Sequence, residues 1–165
     1  MGVTMQKTAL YVGTFDPITL GHFDIISRAS AMFDTLIVGV AYSKEKNTLF
    51  SIQQRVSFIE KSLTKFSNIK VVSYANLTVD LAKEHGATLL IRGLRDSEDF
   101  EYERRLEQLN KTIDEQLETL YLLSRPEHTH ISSSSVRALL KFNAPTKKLL
   151  PDAVEKIIKE EYRCI

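Results

Sequence analysis

The stretch YVGTFDPITLGHFD, Tyr11 to Asp24, decides how this chain is read. The apolar run Ala9-Leu10-Tyr11-Val12 predicts a buried strand, and Gly13 and Pro17 break it. Thr19 then stands where it can cap a helix whose apolar positions Ile25, Ala29 and Met32 recur at helical spacing. His22 falls in the first turn of that helix. Unpaired backbone N–H groups and the positive end of the helix dipole attract an anion there, and an imidazole adds a proton donor that can follow a phosphate oxygen. The unit predicts a phosphate site.

Downstream, strands and helices alternate. Leu36 to Ala41 is a continuous apolar run of the kind found in parallel strands covered on both faces. Ser51 and Gln54 form a capping box ahead of Ile52, Val56, Ile59, Leu63 and Phe66. Ile69 to Tyr74 is a third strand, Thr78 is expected to cap a short helix ended by Gly86, and Ala87 to Ile91 is a fourth strand. Asp96 caps a long helix with expected apolar contacts at Phe100, Leu106, Leu109 and Ile113. Thr119 to Leu123 is a fifth strand, and the run Ser132 to Ser135 caps a helix carrying Val136, Leu139, Leu140 and Phe142. Pro151 is expected as the first residue of a last helix with Val154, Ile157 and Ile158 as its packing stripe. Five strands alternating with helices, without a hairpin signal, predict a Rossmann-like α/β fold: one open five-stranded parallel sheet with helices on both faces.

With 165 residues and 43% hydrophobic content, one domain spanning residues 1–165 is expected. The net charge is +1 and Lys/Arg are scattered among Asp/Glu, so no basic face is available for a nucleic-acid backbone. The single cysteine, Cys164, excludes an internal disulfide and a Cys-based zinc site. No stretch is apolar enough to span a bilayer, and the start MGVTMQK lacks the layout of a signal peptide. A cytoplasmic protein without a membrane partner is expected.

The residues that packing does not explain all follow strands: Thr14 to His22, Ser43 to Lys46, Asn76 to Thr78, Arg92 to Arg95 and His128 to Ser134. In an open parallel sheet such loops share one edge, where ligands bind near the reversal of strand order. Their content is cationic, glycine-containing and hydroxyl-rich, which suits a polyphosphate. Arg92 and Arg95, on either side of Gly93, offer two guanidinium forks for separate phosphate groups. Lys44 and Lys46 share one loop, and residue type does not choose between them. The serine-capped helix start presents backbone N–H groups and hydroxyls.

Four of these strings resemble a known family. GTFDPITLGH is similar to the (T/H)-x-G-H signature of the nucleotidyltransferase superfamily, in the form typical of bacterial phosphopantetheine adenylyltransferases. IRGLRDSEDFEYE resembles that family's I-R-G-x-R...D-F-x-Y-E stretch, and ISSSSVR its I-S-S-[ST]-x-[IV]-R motif. Asn76-Leu77-Thr78 corresponds to its pantetheine-arm segment, with Thr78 where many relatives carry Leu or Met; Val12 and Leu20 stand where Pro and Asn are common. The resemblance runs from about Leu10 to Pro151.

It implies transfer of the adenylyl group of ATP to 4'-phosphopantetheine, giving 3'-dephospho-coenzyme A and pyrophosphate. Catalytic roles would fall to His22, Lys46 and Arg95. ATP would be bound by Thr14, Phe15, His22, Gly93, Leu94, Arg95, Glu103, His128, Thr129, His130, Ile131, Ser132, Ser133 and Ser134. Phosphopantetheine would be bound by Thr14, Lys46, Thr78 and Arg92. Lys46 is selected over Lys44 by its distance from Phe50. Mg²⁺ would bridge the phosphates without a protein cage, and a homohexamer is implied. The alternatives are a transferase of the same superfamily using nicotinamide mononucleotide, another phosphate acceptor or CTP, and a catalytically silent nucleotide-binding module.

Overall fold

Strand β1 (Thr8–Gly13) sends successive side chains to opposite faces, as the pleat requires: Ala9 and Tyr11 join one apolar cluster, Leu10 and Val12 another. The computed structural model, which describes residues 7–42 and 47–162, builds both clusters into full layers. β2 (Thr35–Ala41), β3 (Ile69–Tyr74), β4 (Leu89–Leu94) and β5 (Glu118–Leu123) complete a wholly parallel sheet in the order β3-β2-β1-β4-β5. On one face Ile25, Ile26 and Ala29 of α1 (Leu20–Ser30), Phe58 and Ile59 of α2 (Ile52–Ser62), Val136 of α5 (Ser133–Lys141), and Val154 and Ile158 of α6 (Asp152–Glu161) are buried in one cluster. On the other, α3 (Thr78–Glu84) contributes Val79, Leu81 and Ala82. Helices cover both faces, which is why the central strands read as unbroken apolar runs. Among the described residues no helix is long and apolar enough to cross a membrane.

β1 sits at the reversal of strand order. The chain goes outward to β2 and β3, returns across β1, and continues with β4 and β5 on its other side. The carboxyl ends of β1 and β4 therefore diverge into a crevice between the loops that follow them.

Local signals mostly hold, with instructive departures. Thr19 and Ser51 each close a capping box, and Asp96 caps α4 (Ser97–Ile113) through the Asp99 amide at 2.8 Å. Pro151 stands at the N-cap of α6 and not inside it. α3 is capped by Leu77 without a side-chain bond; Thr78 is its first helical residue, its hydroxyl 3.3 Å from that of Tyr74. β4 continues through Arg92, Gly93 and Leu94, because each finds a partner in β5, so Arg92 lies in the sheet and not after it. α1 ends at Ser30, which leaves Met32 exposed. The apolar stripe expected of α4 is met only in part: Leu106 is half-buried and Phe100 packs edge-on to Tyr121 at 5.7 Å, but Phe100, Leu109 and Ile113 are exposed, and the residue the helix buries is Glu103. An acidic residue is drawn inward there by Arg92 on the sheet. Phe142 is likewise exposed at the C-cap of α5.

The Ser51 cap lies outside the crevice. Ser51→Ala is expected to lower unfolding free energy by about 1 kcal/mol, since the Gln54 amide loses its acceptor. Urea unfolding should show that loss with parental catalytic turnover; an unchanged midpoint would show that the cap contributes nothing.

Candidate active site

The first turn of α1 builds the centre of the crevice. The Thr19 hydroxyl accepts from the His22 amide at 3.4 Å, and the Thr19 amide donates back to His22 Nδ1 at 3.1 Å, with Thr19 Oγ1 also 3.1 Å from that nitrogen. In this capping box an imidazole occupies the position that Glu or Gln usually takes. Because Nδ1 accepts the amide, it carries no hydrogen, and the neutral ring keeps its proton on Nε2. Burial, then the positive charges of Arg95 and Arg92, lower the His22 pKa to about 4. At neutral pH the residue is an uncharged donor. Phe15 packs its ring edge-on to the imidazole, 5.1 Å between centroids, and fixes its plane.

Around His22 lies a cavity of about 280 Å³ whose wall includes Tyr11, Gly21, Arg92, Gly93, Arg95, Asp99, Glu103, His128, Ile131 and Ser132 to Ser134. Arg92 is held from two sides. Its Nε donates to Glu103 Oε2 at 2.5 Å, its Nη2 to Oε1, and its Nη1 to the Val12 carbonyl at 2.8 Å. Three of its five N–H groups are so occupied, and two remain for a ligand. Arg95 is clamped by Asp99, whose carboxylate accepts from Nε and Nη2 at 2.9 Å each and from the Arg95 amide at 3.0 Å. Gly93 lets α1 approach: a Cβ there would stand 3.2 Å from Ile25 Cγ1.

α5 opens with the serines. Ser132 Oγ accepts from the Ser135 amide at 3.0 Å, and Ser133 Oγ donates to the Pro17 carbonyl at 2.8 Å. Ser134 reaches from the main cavity into an adjoining one of about 370 Å³, walled also by Thr14, Asp16, Asn47, Thr48 and Arg137. A third, of about 80 Å³, holds Thr78 and shares Val12, Arg92 and Glu103 with the first.

The crevice thus gathers His22, Gly93, Arg92, Arg95, Glu103, His128, Ile131 and the three serines, as the sequence suggests. Thr14 and Thr78 stand in the flanking cavities. Phe15 and Leu94 are buried, at 3% and 5% exposure; the Phe15 ring reaches the cavity wall against His22, whereas Leu94 is absent from it and has only its backbone for a ligand. Thr129 and His130 are exposed and off the cavity wall; the Thr129 hydroxyl closes the 3-10 turn Pro126–His128 by donating to the Pro126 carbonyl at 3.0 Å. Lys46 lies outside the described residues.

Sequence reasoning passed over Asp16, Arg55 and Asp99. Asp16 is 2% exposed and accepts from the Leu49 and Phe50 amides at 2.8 and 2.9 Å. Arg55 occupies a position on the inward stripe of α2, three residues after Ile52 and four before Ile59, where a charge is itself a signal. Asp99 passes as a first-turn helix acid, and only its spacing of four residues from Arg95 marks the grip.

A donor flanked by two arginines and a helix start, at the switch point of a parallel sheet, defines a nucleotidyltransferase-type site. The family model described as cytidylyltransferase-like matches residues 10–139. A phosphopantetheine adenylyltransferase of Nautilia profundicola is 45% identical over 152 residues, covering 92% of this chain and 99% of the relative. One from Helicobacter pylori is 42% identical, covering 94% and 99%. A Vibrio parahaemolyticus structure described as a nicotinate-nucleotide adenylyltransferase shares the fold with a TM-score of 0.73 at 16% identity, covering 95% of this chain and 94% of its own. Within that cytidylyltransferase-like class, the chain belongs to the phosphopantetheine adenylyltransferase family.

The lowered pKa of His22 has a sign in stability. Between about 4 and the usual 6.5 the unfolded chain binds a proton that the folded chain refuses, so the contribution of this group is complete above pH 6.5 and is lost as pH falls. The difference in unfolding free energy between the parent and His22→Gln should be flat above that pH and turn against the parent below it. A difference constant from pH 7.5 to about 4 would sink the assignment of a neutral imidazole with a lowered pKa.

Proposed function

We propose that the chain transfers the adenylyl group of ATP to 4'-phosphopantetheine, a step of coenzyme A biosynthesis, with His22 as the donor to the reacting phosphate. The observation that supports this most is the pairing of His22 Nδ1 with the Thr19 amide, which leaves the proton on Nε2 in a cavity flanked by Arg92 and Arg95.

A phosphate oxygen of phosphopantetheine attacks the α-phosphorus of ATP in line, the bond to the β-phosphate oxygen breaks, and pyrophosphate leaves. With a second pKa of roughly 6, the attacking phosphate is already an anion and needs no general base. Catalysis is then positioning and charge stabilisation. Lys46, Thr14 and the two uncommitted N–H groups of Arg92 hold the nucleophile. His22 donates from Nε2 to the α-phosphate oxygens as they gain charge, and being neutral it loses no proton that the step must replace. Arg95 and the N–H groups at the start of α5, with Ser132 to Ser134, take the departing pyrophosphate. Thr78 faces the acceptor's arm from the small cavity that shares Arg92. Glu103, expected on the nucleotide side, acts through Arg92, whose fork it holds toward the acceptor phosphate.

Mg²⁺ fits this site as an ion carried by the phosphates. Both cavity carboxylates, Asp99 and Glu103, are engaged by arginines, and among the described residues no group of three His, Cys, Asp or Glu is placed to chelate it. Its protein oxygens would be the Ser133 and Ser134 hydroxyls, with water and phosphate completing the shell, and when bound it supplies charge neutralisation on the polyphosphate. The same reading includes a cytoplasmic homohexamer, with no nucleic-acid or membrane partner. The exposed Phe100, Tyr102, Leu109 and Ile113 of α4 support association of this chain with itself.

Pyrophosphate release from ATP with Mg²⁺ should depend on 4'-phosphopantetheine and not on nicotinamide mononucleotide or glycerol 3-phosphate, and CTP should not replace ATP. Loss of one such donor is worth about 3 kcal/mol, so His22→Ala should cut kcat by roughly two to three orders of magnitude while calorimetry still shows ATP binding. A near-parental kcat would remove His22 from the chemistry.

A further inference from the structure

We propose that Arg55, remote in sequence from every motif of the site, is a positioning residue for His22, acting through the Thr14 carbonyl and the Phe15 ring. The inference rests on the reading of His22 as the donor in adenylyl transfer.

Arg55 is 2% exposed, deep enough that its charge must be met by the fold. Its guanidinium donates to three main-chain carbonyls: Nη1 to Thr14 at 2.5 Å and Ala41 at 3.0 Å, and Nε to Phe50 at 3.2 Å. Those carbonyls lie after β1, at the last residue of β2, and just before α2. One side chain of α2 therefore ties the carboxyl end of β1, one side of the crevice, to that of its neighbour β2. Asp16 reinforces the tie from the other direction by accepting the Leu49 and Phe50 amides.

The peptide that Arg55 grips by its oxygen is the one joining Thr14 to Phe15, and Phe15 has φ of 49°, the left-handed region, which a residue with a side chain occupies only when its surroundings insist. The conformation delivers the ring. Phe15 fills the space over Gly13, where a Cβ would stand 3.0 Å from it, packs edge-on to Tyr11 at 5.5 Å, and forms the apolar wall of His22 at 5.1 Å and 81°. Without the Arg55 hydrogen bond, the Thr14 carbonyl is free to rotate and the backbone at Phe15 to relax toward ordinary φ. The ring then leaves the imidazole. Arg55 never touches substrate in this scheme; it sets the plane of the group that does.

The test uses the full chain with Arg55→Met, which keeps the stem and removes every donor, Arg55→Lys, which keeps the charge and one donor point, and Phe15→Leu. Folded fraction is followed by circular dichroism, and turnover is expressed per folded molecule. Arg55→Met should lose about tenfold or more in kcat with KM for ATP within about twofold, and the His22 ring resonances in NMR should move. Arg55→Lys should recover part of both, and Phe15→Leu should reproduce the Arg55→Met pattern. Folded variants with parental kcat and unmoved His22 resonances would overturn the proposal. Should Arg55→Met fail to fold, Arg55→Lys and Phe15→Leu decide in the same way. A parent chain that releases no pyrophosphate with phosphopantetheine would defeat the proposed function, while the His22 resonances would still report whether Arg55 positions the ring.

Discussion

One hydrogen bond, from the Thr19 amide to Nδ1 of His22, joins the folding of this chain to its chemistry. It satisfies one of the donors that a helix start leaves open, and so helps begin α1. The same bond settles which ring nitrogen carries the proton. Because α1 packs Ile25, Ile26 and Ala29 into the main core, the helix start cannot drift relative to the ends of β1 and β4. A tautomer is thereby specified by burial several residues away. Replacement of the His by Glu or Gln would preserve the cap, but a carboxylate would repel phosphate.

The arginines obey a second constraint. Two guanidinium groups facing a common cavity repel each other, and a flexible arginine gives up much of its binding energy in becoming ordered. Pairing Arg92 with Glu103 and Arg95 with Asp99 removes both difficulties before a ligand arrives. The pairs also fix direction, since each carboxylate takes the Nε edge of its fork and turns another edge outward. The arrangement shapes α4: its one buried residue is Glu103, and Leu109 and Ile113 turn to the surface.

That trade explains where the sequence is legible and where it is not. Strand runs, capping boxes and the gathering of polar loops at one sheet edge are local or topological signals, and Thr19, Ser51, Asp96 and Ser132 all cap as their residue types suggest. Helical spacing in α4 misleads because periodicity counts apolar residues and gives no weight to a buried ion pair formed with a strand distant in sequence. The end of β4 is misjudged for a related reason: Arg92 reads as a loop residue by its polarity, whereas Val12 and Glu103 satisfy it within the sheet. Arg55 is the hardest to read, since its partners are carbonyls, and carbonyls belong to every residue alike.

The charge state of His22 ties these features together. After burial, its two positive neighbours are the causes that depress its pKa. A polyphosphate entering the cavity brings compensating negative charge to those arginines, and the field that disfavours the imidazolium weakens as the ligand seats. The ring stays neutral all the same, because Nδ1 already accepts the Thr19 amide and cannot take a proton without breaking the cap. A donor of fixed charge and fixed direction thus follows from the pairings, with each arginine matched to a carboxylate and the histidine to a backbone amide.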